Sequence, residues 1–107
     1  MELTAKELSF IVRDAYATLE SPILLGRDAP GEKVALTGNG ALARGILEAG
    51  TQIVTFYSGA PVNTVADNLS FIADKFGLYV EASTNEKVAV EVAAGASMAG
   101  LRSAVIM

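Results

Sequence analysis

The chain has 107 residues, 51% of them hydrophobic and 19% charged, and its eight basic and twelve acidic side chains leave a net charge of −4. That length allows one small domain or part of a larger one, and the apolar fraction is too high for a disordered tail. Without cysteine or histidine, its own residues cannot build an iron–sulfur site, a Cys/His zinc site or a Cys–His or Ser–His catalytic pair, and the acidic balance argues against a nucleic-acid or anionic-membrane partner.

The opening Met1-Glu2-Leu3-Thr4 lacks the basic and apolar regions of a signal peptide. The most apolar stretch, Val88–Leu101, contains Glu91 and falls short of the roughly 20 residues a membrane span needs. The expectation is a soluble, cytoplasmic protein. Residues 1–32 read as an N-terminal helix and linker. Thr4 and Glu7 have capping-box spacing, and Leu8, Ile11, Val12, Ala15 and Leu19 share one helical face. Ser21-Pro22 ends that helix, Ile23-Leu24-Leu25 is an apolar run of undecided type, and Arg27–Glu32 is a charged turn.

From Lys33 to Met107 a short apolar run, a glycine-rich or polar turn and a helical segment recur. The spacing predicts strands at Val34–Thr37, Gln52–Tyr57, Leu78–Ala82 and Ser103–Met107. It predicts helices at Ala41–Ala49, Pro61–Phe76 and Glu86–Leu101. Strands alternating with helices imply a three-layer α/β unit: a mainly parallel sheet with helices on both faces. Val62, Val65, Ala66, Leu69, Ile72, Ala73 and Phe76 form one stripe on the second helix. Pro61 suits its first position and Gly77 its C-terminal end. The third helix has almost no polar face, so burial nearly all round is expected, against the sheet or a partner. A last strand without a following helix leaves one sheet face uncovered, so the domain is expected to be incomplete in this chain and to associate.

Parallel α/β sheets take ligands at the carboxyl ends of their strands, where three turns are expected together. Gly38-Asn39-Gly40, with Ala43, matches the dinucleotide fingerprint G-x-G-x-x-G/A, but the next strand, Gln52–Tyr57, is not followed by the acid that would hold a ribose. Its bland reading is a tight turn. Tyr57-Ser58-Gly59-Ala60-Pro61 offers backbone N–H groups near a helix start, and its bland reading is a plain strand-to-helix connection. Ser83-Thr84-Asn85-Glu86 carries a carboxylate, Glu86, at a strand's carboxyl edge. Ser83-x-x-Glu86 is also a capping box, which would turn that carboxylate back onto the Ser83 N–H.

Ser83-Thr84-Asn85-Glu86-Lys87-Val88-Ala89, with Glu91-Val92-Ala93-Ala94-Gly95-Ala96 after it, resembles the thiamine-diphosphate 2-oxoacid:ferredoxin oxidoreductases. The likeness is greatest to the α subunits of their indolepyruvate branch. Gly38-Asn39, Ala41, Ala43-Arg44-Gly45 and Glu48-Ala49-Gly50 resemble the same family's opening unit. The resemblance runs from about Lys33 to Met107 and implies the N-terminal part of a pyrimidine-binding domain. It implies that Glu86 hydrogen-bonds N1′ of the cofactor's aminopyrimidine and that Gly59, Ala60 and Pro61 lie against the cofactor. The family reads Tyr-Pro-Gly-Thr-Pro-Ser-Ser-Glu where this chain has Tyr57-Ser58-Gly59-Ala60-Pro61-Val62-Asn63-Thr64. Ala60 therefore replaces a threonine whose hydroxyl helps fix the 2-oxo acid.

The implied activity is oxidative decarboxylation of arylpyruvates, such as indolepyruvate, to aryl-acetyl-CoA, with CoA and ferredoxin as partners. Mg²⁺ and iron–sulfur clusters are implied to bind outside this chain, on remaining domains or a partner subunit, so no activity is expected of the chain alone and no metal is assigned to it. The alternative is a non-catalytic α/β binding or assembly domain that kept the fold.

Overall fold

The computed structural model describes residues 22–107. The helix expected over Thr4–Leu19 lies outside the described residues. The elements in chain order are α1 (Pro22–Leu25), α2 (Gly38–Glu48), β1 (Ile53–Phe56), α3 (Asn63–Phe76), β2 (Tyr79–Ala82), α4 (Glu86–Met98) and β3 (Ser103–Ile106). Ile23-Leu24-Leu25 is thus part of a single helical turn, and Arg27–Ala29 follows it as irregular chain.

The three strands form one parallel sheet in the order β2-β1-β3. Val54 stands opposite Val80 on one side and Ala104 on the other. β-branched residues at Ile53, Val54 and Thr55 suit the central strand, which is pleated and covered on both faces. The two crossovers leave in opposite directions and use opposite faces. From β1 to β2 the chain runs through α3 on the face of Val54. From β2 it passes over β1 to β3 through α4, on the face of Thr55. Reversing both direction and face keeps one hand for both crossovers, as the strong handedness preference of parallel units demands.

The core fills the first face. Leu25, Ala43, Val54, Val65, Ala66, Leu69, Ile72, Leu78 and Ile106 are buried together, with Phe56, Val80 and Ala104 packed at their margin. The stripe read from the sequence is therefore the buried side of α3 at Val65, Ala66, Leu69 and Ile72, whereas Phe76 at its end is exposed. Gly77 ends that helix in the left-handed region at φ 62°, and its N–H returns to the Ala73 carbonyl. A residue with a Cβ pays a steric penalty in that conformation. Arg44 ties the segment before α2 to the body, donating to the carbonyls of Leu25 (2.9 Å) and Arg27 (2.8 Å).

Three expectations change. Val34–Thr37 is not a strand: residues 32–37 form irregular chain, with Val34 43% exposed. A strand exists only by its ladder, and among the described residues this segment pairs with none of the three strands of the sheet. The helix after β1 starts at Asn63, with Pro61 ahead of it in a turn joined by a cis Ala60–Pro61 bond. That turn closes on the Gly59 carbonyl, which accepts from Val62 N (3.0 Å) and Asn63 N (2.9 Å). Finally, α4 is not buried all round. Ala89 and Ala93 face the sheet, whereas Val90, Val92 and Met98 are exposed, Met98 at 88%.

Candidate functional site

The carboxyl edge of the sheet follows from the register. Phe56, Ala82 and Ile106 are the last paired residues of their strands. One step further, the Phe56 carbonyl accepts from Ser83 N at 2.7 Å, and Tyr57 N donates to the Ile106 carbonyl at 3.1 Å. The turns after β1 and β2 thus leave the sheet side by side. Their helices depart to opposite faces, α3 to one and α4 to the other. Adjacent strands whose following helices diverge in this way open a crevice at their carboxyl ends, the position where open α/β sheets hold ligands. Tyr57-Ser58-Gly59-Ala60-Pro61 would form one lip of the crevice expected of such a sheet and Ser83-Thr84-Asn85-Glu86 the other.

At the second lip the structure decides between two cap registers. The N-cap of α4 is Asn85, whose side-chain oxygen accepts from Val88 N at 2.9 Å. The Ser83 N–H is committed to the sheet through Phe56, so it is not there for the Glu86 carboxylate to accept. Glu86 is therefore the first helical residue, not the third, and the capping box is excluded. Among the described residues its carboxylate has no hydrogen bond or ion pair, and the residue is exposed. An acid here still complements the helix dipole, by about 0.3–1 kcal/mol. Nothing in that role requires a directed hydrogen bond, so both oxygens are open to a ligand. Asparagine is among the best N-cap residues, so Asn85 was visible in the sequence, but Ser83-x-x-Glu86 fitted the same stretch equally well.

The first lip is held from outside by a residue that the spacing argument overlooked. Asn39, at the start of α2, donates from Nδ2 to the Pro61 carbonyl (2.6 Å) and to the Thr64 hydroxyl. The first of the three expected turns thus meets the second. The dinucleotide reading of that first turn fails on context as well as on the missing acid. No strand precedes Gly38-Asn39-Gly40, and Thr37 caps α2 by accepting from Gly40 N at 3.0 Å.

Several other charged side chains have partners within the fold. Glu91 pairs with Lys87 across one helical turn at 3.7 Å. Arg102 is more than a solvated charge: its guanidinium donates to the Ala49 carbonyl, and its backbone N–H to Gln52 Oε1. A hollow of about 420 Å³ lined by Arg27, Arg44, Gln52 and Gly77 lies at the opposite, amino edge of the sheet, away from the crevice. Among the described residues no cluster of three or more acidic or other metal-binding side chains could hold a cation, and no helix is long and apolar enough to cross a membrane.

Similar proteins fall in one group. An indolepyruvate oxidoreductase subunit IorA from Archaeoglobus fulgidus is 51% identical over 85 residues, covering 76% of this chain and 14% of the relative. The IorA subunits of Pyrococcus horikoshii and Thermococcus kodakarensis are 49% and 48% identical over 80 residues, covering 75% of this chain and 12% of each relative. The chain thus spans about an eighth of the length of the curated relatives it matches. No family model and no solved structure matches it. Identity of this order over most of the chain makes it homologous to that stretch of the subunit.

Proposed function

We propose, from the homology of this chain to the IorA subunits of indolepyruvate oxidoreductases, that it supplies the pyrimidine side of a thiamine-diphosphate site in such an enzyme. The observation that carries this reading is Glu86: a carboxylate at the crevice, released from capping by Asn85 and uncommitted among the described residues. The donor set suits one end of the cofactor. An aminopyrimidine ring nitrogen asks for a carboxyl group, and Glu86 supplies it. A diphosphate–Mg²⁺ end asks for clustered acidic ligands, which we assign, with the iron–sulfur clusters, to the rest of the enzyme.

In this reading Glu86 shares a proton with N1′ of the aminopyrimidine. The turn of Gly59, Ala60 and Pro61 would lie on the opposite side of the ring from Glu86. When bound, thiamine diphosphate supplies the electron sink for decarboxylating a 2-oxo acid. The whole enzyme would convert an arylpyruvate such as indolepyruvate to aryl-acetyl-CoA, consuming CoA and passing electrons to ferredoxin. Ala60 has no side-chain donor, so the substrate's oxygens must be fixed by another group. Covering domains or subunits would exclude water from Glu86 and strengthen its hydrogen bond. An oligomeric, cytoplasmic enzyme fits this reading.

The test is Glu86→Gln in the full-length enzyme. The amide keeps the size of the side chain but cannot exchange the proton. The kcat should fall by about 10²-fold or more at saturating cofactor, the scale of a lost acid–base group, with unfolding unchanged. Near-normal kcat would remove Glu86 from the site and the proposed function with it.

A further inference from the structure

Asn39 and the turn after β1 are 22 residues apart in sequence, yet one side chain joins them. Both N–H groups of the Asn39 amide are spent, one on the Pro61 carbonyl at 2.6 Å and one on the Thr64 hydroxyl. The amide orientation is fixed by chemistry: turned over, its oxygen would face the Pro61 carbonyl oxygen, acceptor against acceptor. Thr64 is buried, 8% exposed, so it is a rigid anchor on α3. The turn itself is exposed from Tyr57 to Pro61. Inside the turn, backbone bonds run only to the Gly59 carbonyl, from Val62 and Asn63. Its start, Tyr57, is tied to β3 through the Ile106 carbonyl; beyond Tyr57, Asn39 grips it from a separate element through the Pro61 carbonyl. From this we infer that Asn39 is a positioning residue, which clamps the Gly59-Ala60-Pro61 lip against α3 and so sets the width of the crevice opposite Glu86.

A purely helical role for Asn39 is separable from this one. Asn39 is the second residue of α2, where a negative charge favours the helix. Asn39→Asp therefore helps the helix and opposes the clamp, because a carboxylate oxygen then confronts the Pro61 carbonyl. The inference rests on the proposed function only in its second half, the effect on cofactor. Its first half, the immobilised turn, stands without it.

Two measurements on the full-length enzyme test the halves separately. In hydrogen exchange, Asn39→Asp should speed exchange of the Val62 and Asn63 amides about tenfold, the worth of one or two hydrogen bonds. The Val88 amide, capped by Asn85, should not change. In titration with thiamine diphosphate and Mg²⁺, the same variant should bind about tenfold more weakly, with kcat at saturating cofactor within about twofold of the parent. Thr64→Val should give a smaller change of the same sign in both, and Thr64→Ser, which keeps the hydroxyl, should behave as the parent. These two variants read the same clamp should Asn39→Asp fail to fold. Unchanged exchange at Val62 and Asn63 overturns the clamp whatever the activity does. Faster exchange with unchanged cofactor affinity overturns its role at the crevice. A parent enzyme that binds no thiamine diphosphate overturns the proposed function, and exchange still decides the clamp.

Discussion

The two faces of the sheet are closed by different means. On the face of Val54, α3 lays down Val65, Ala66, Leu69 and Ile72, and apolar contact does the work. On the face of Thr55, α4 offers Ala89 and Ala93, and the sheet answers with hydroxyls. Thr55 Oγ1 donates to the Ala89 carbonyl at 2.6 Å, and Ser103 Oγ to the Ala93 carbonyl at 2.9 Å. The two carbonyls lie four residues apart, on one side of the helix. Small side chains let the helix backbone come near enough for a strand hydroxyl to reach it. The first face gains by buried area and tolerates a range of shapes of similar volume. The second gains by proximity, which fixes the height of α4, and so of Glu86 at its first turn, above the sheet.

That contrast can be attacked from both sides. Leu69→Ala, at a fully buried site on the first face, should cost about 2–5 kcal/mol, because a cavity adds to lost transfer energy. Denaturant unfolding of the chain reads it, and a loss below about 1 kcal/mol would mean that this face is not area-driven. Ala93→Leu, at 3% exposure beneath α4, should cost about 1–3 kcal/mol by overpacking. It should also lift the helix off Ser103; a stabilised protein would show that the close approach has slack. Thr55→Val keeps the shape and removes one hydroxyl, so about 1 kcal/mol is expected. No change in a thermal melt would leave packing alone as the cause of both faces, and the distinction would collapse.

Much of this arrangement was legible in the sequence. The stripe from Val65 to Ile72 identified the face of α3 that is buried, because a 3.6-residue period and a core allow one answer. The three strands at Ile53, Tyr79 and Ser103 were readable from apolar runs between turn residues, and their parallel pairing from the helices between them. Glu86 and the Gly59-Ala60-Pro61 turn were legible as an edge pair for the same reason: in a parallel sheet, every strand-to-helix turn falls at one edge. The Asn39 clamp was not legible. Its partners lie 22 and 25 residues away, and nothing local distinguishes a clamping asparagine from one that merely favours a turn.

The sequence by itself determined what depends on neighbours along the chain: the periodicity of α3, the αL stop at Gly77, the alternation of strand and helix. Tertiary structure alone decided what depends on competition between partners. The sequence pattern put Glu86 in a capping box with Ser83, but in the fold the Ser83 N–H is held by the Phe56 carbonyl and Asn85 caps α4. Val34–Thr37 had a strand's composition, but in the fold it pairs with none of the three strands. α4 had a composition fit for burial, but in this chain only Ala89 and Ala93 find the sheet. In each case the partner that a donor, a segment or a face finds is settled only when the elements meet in space.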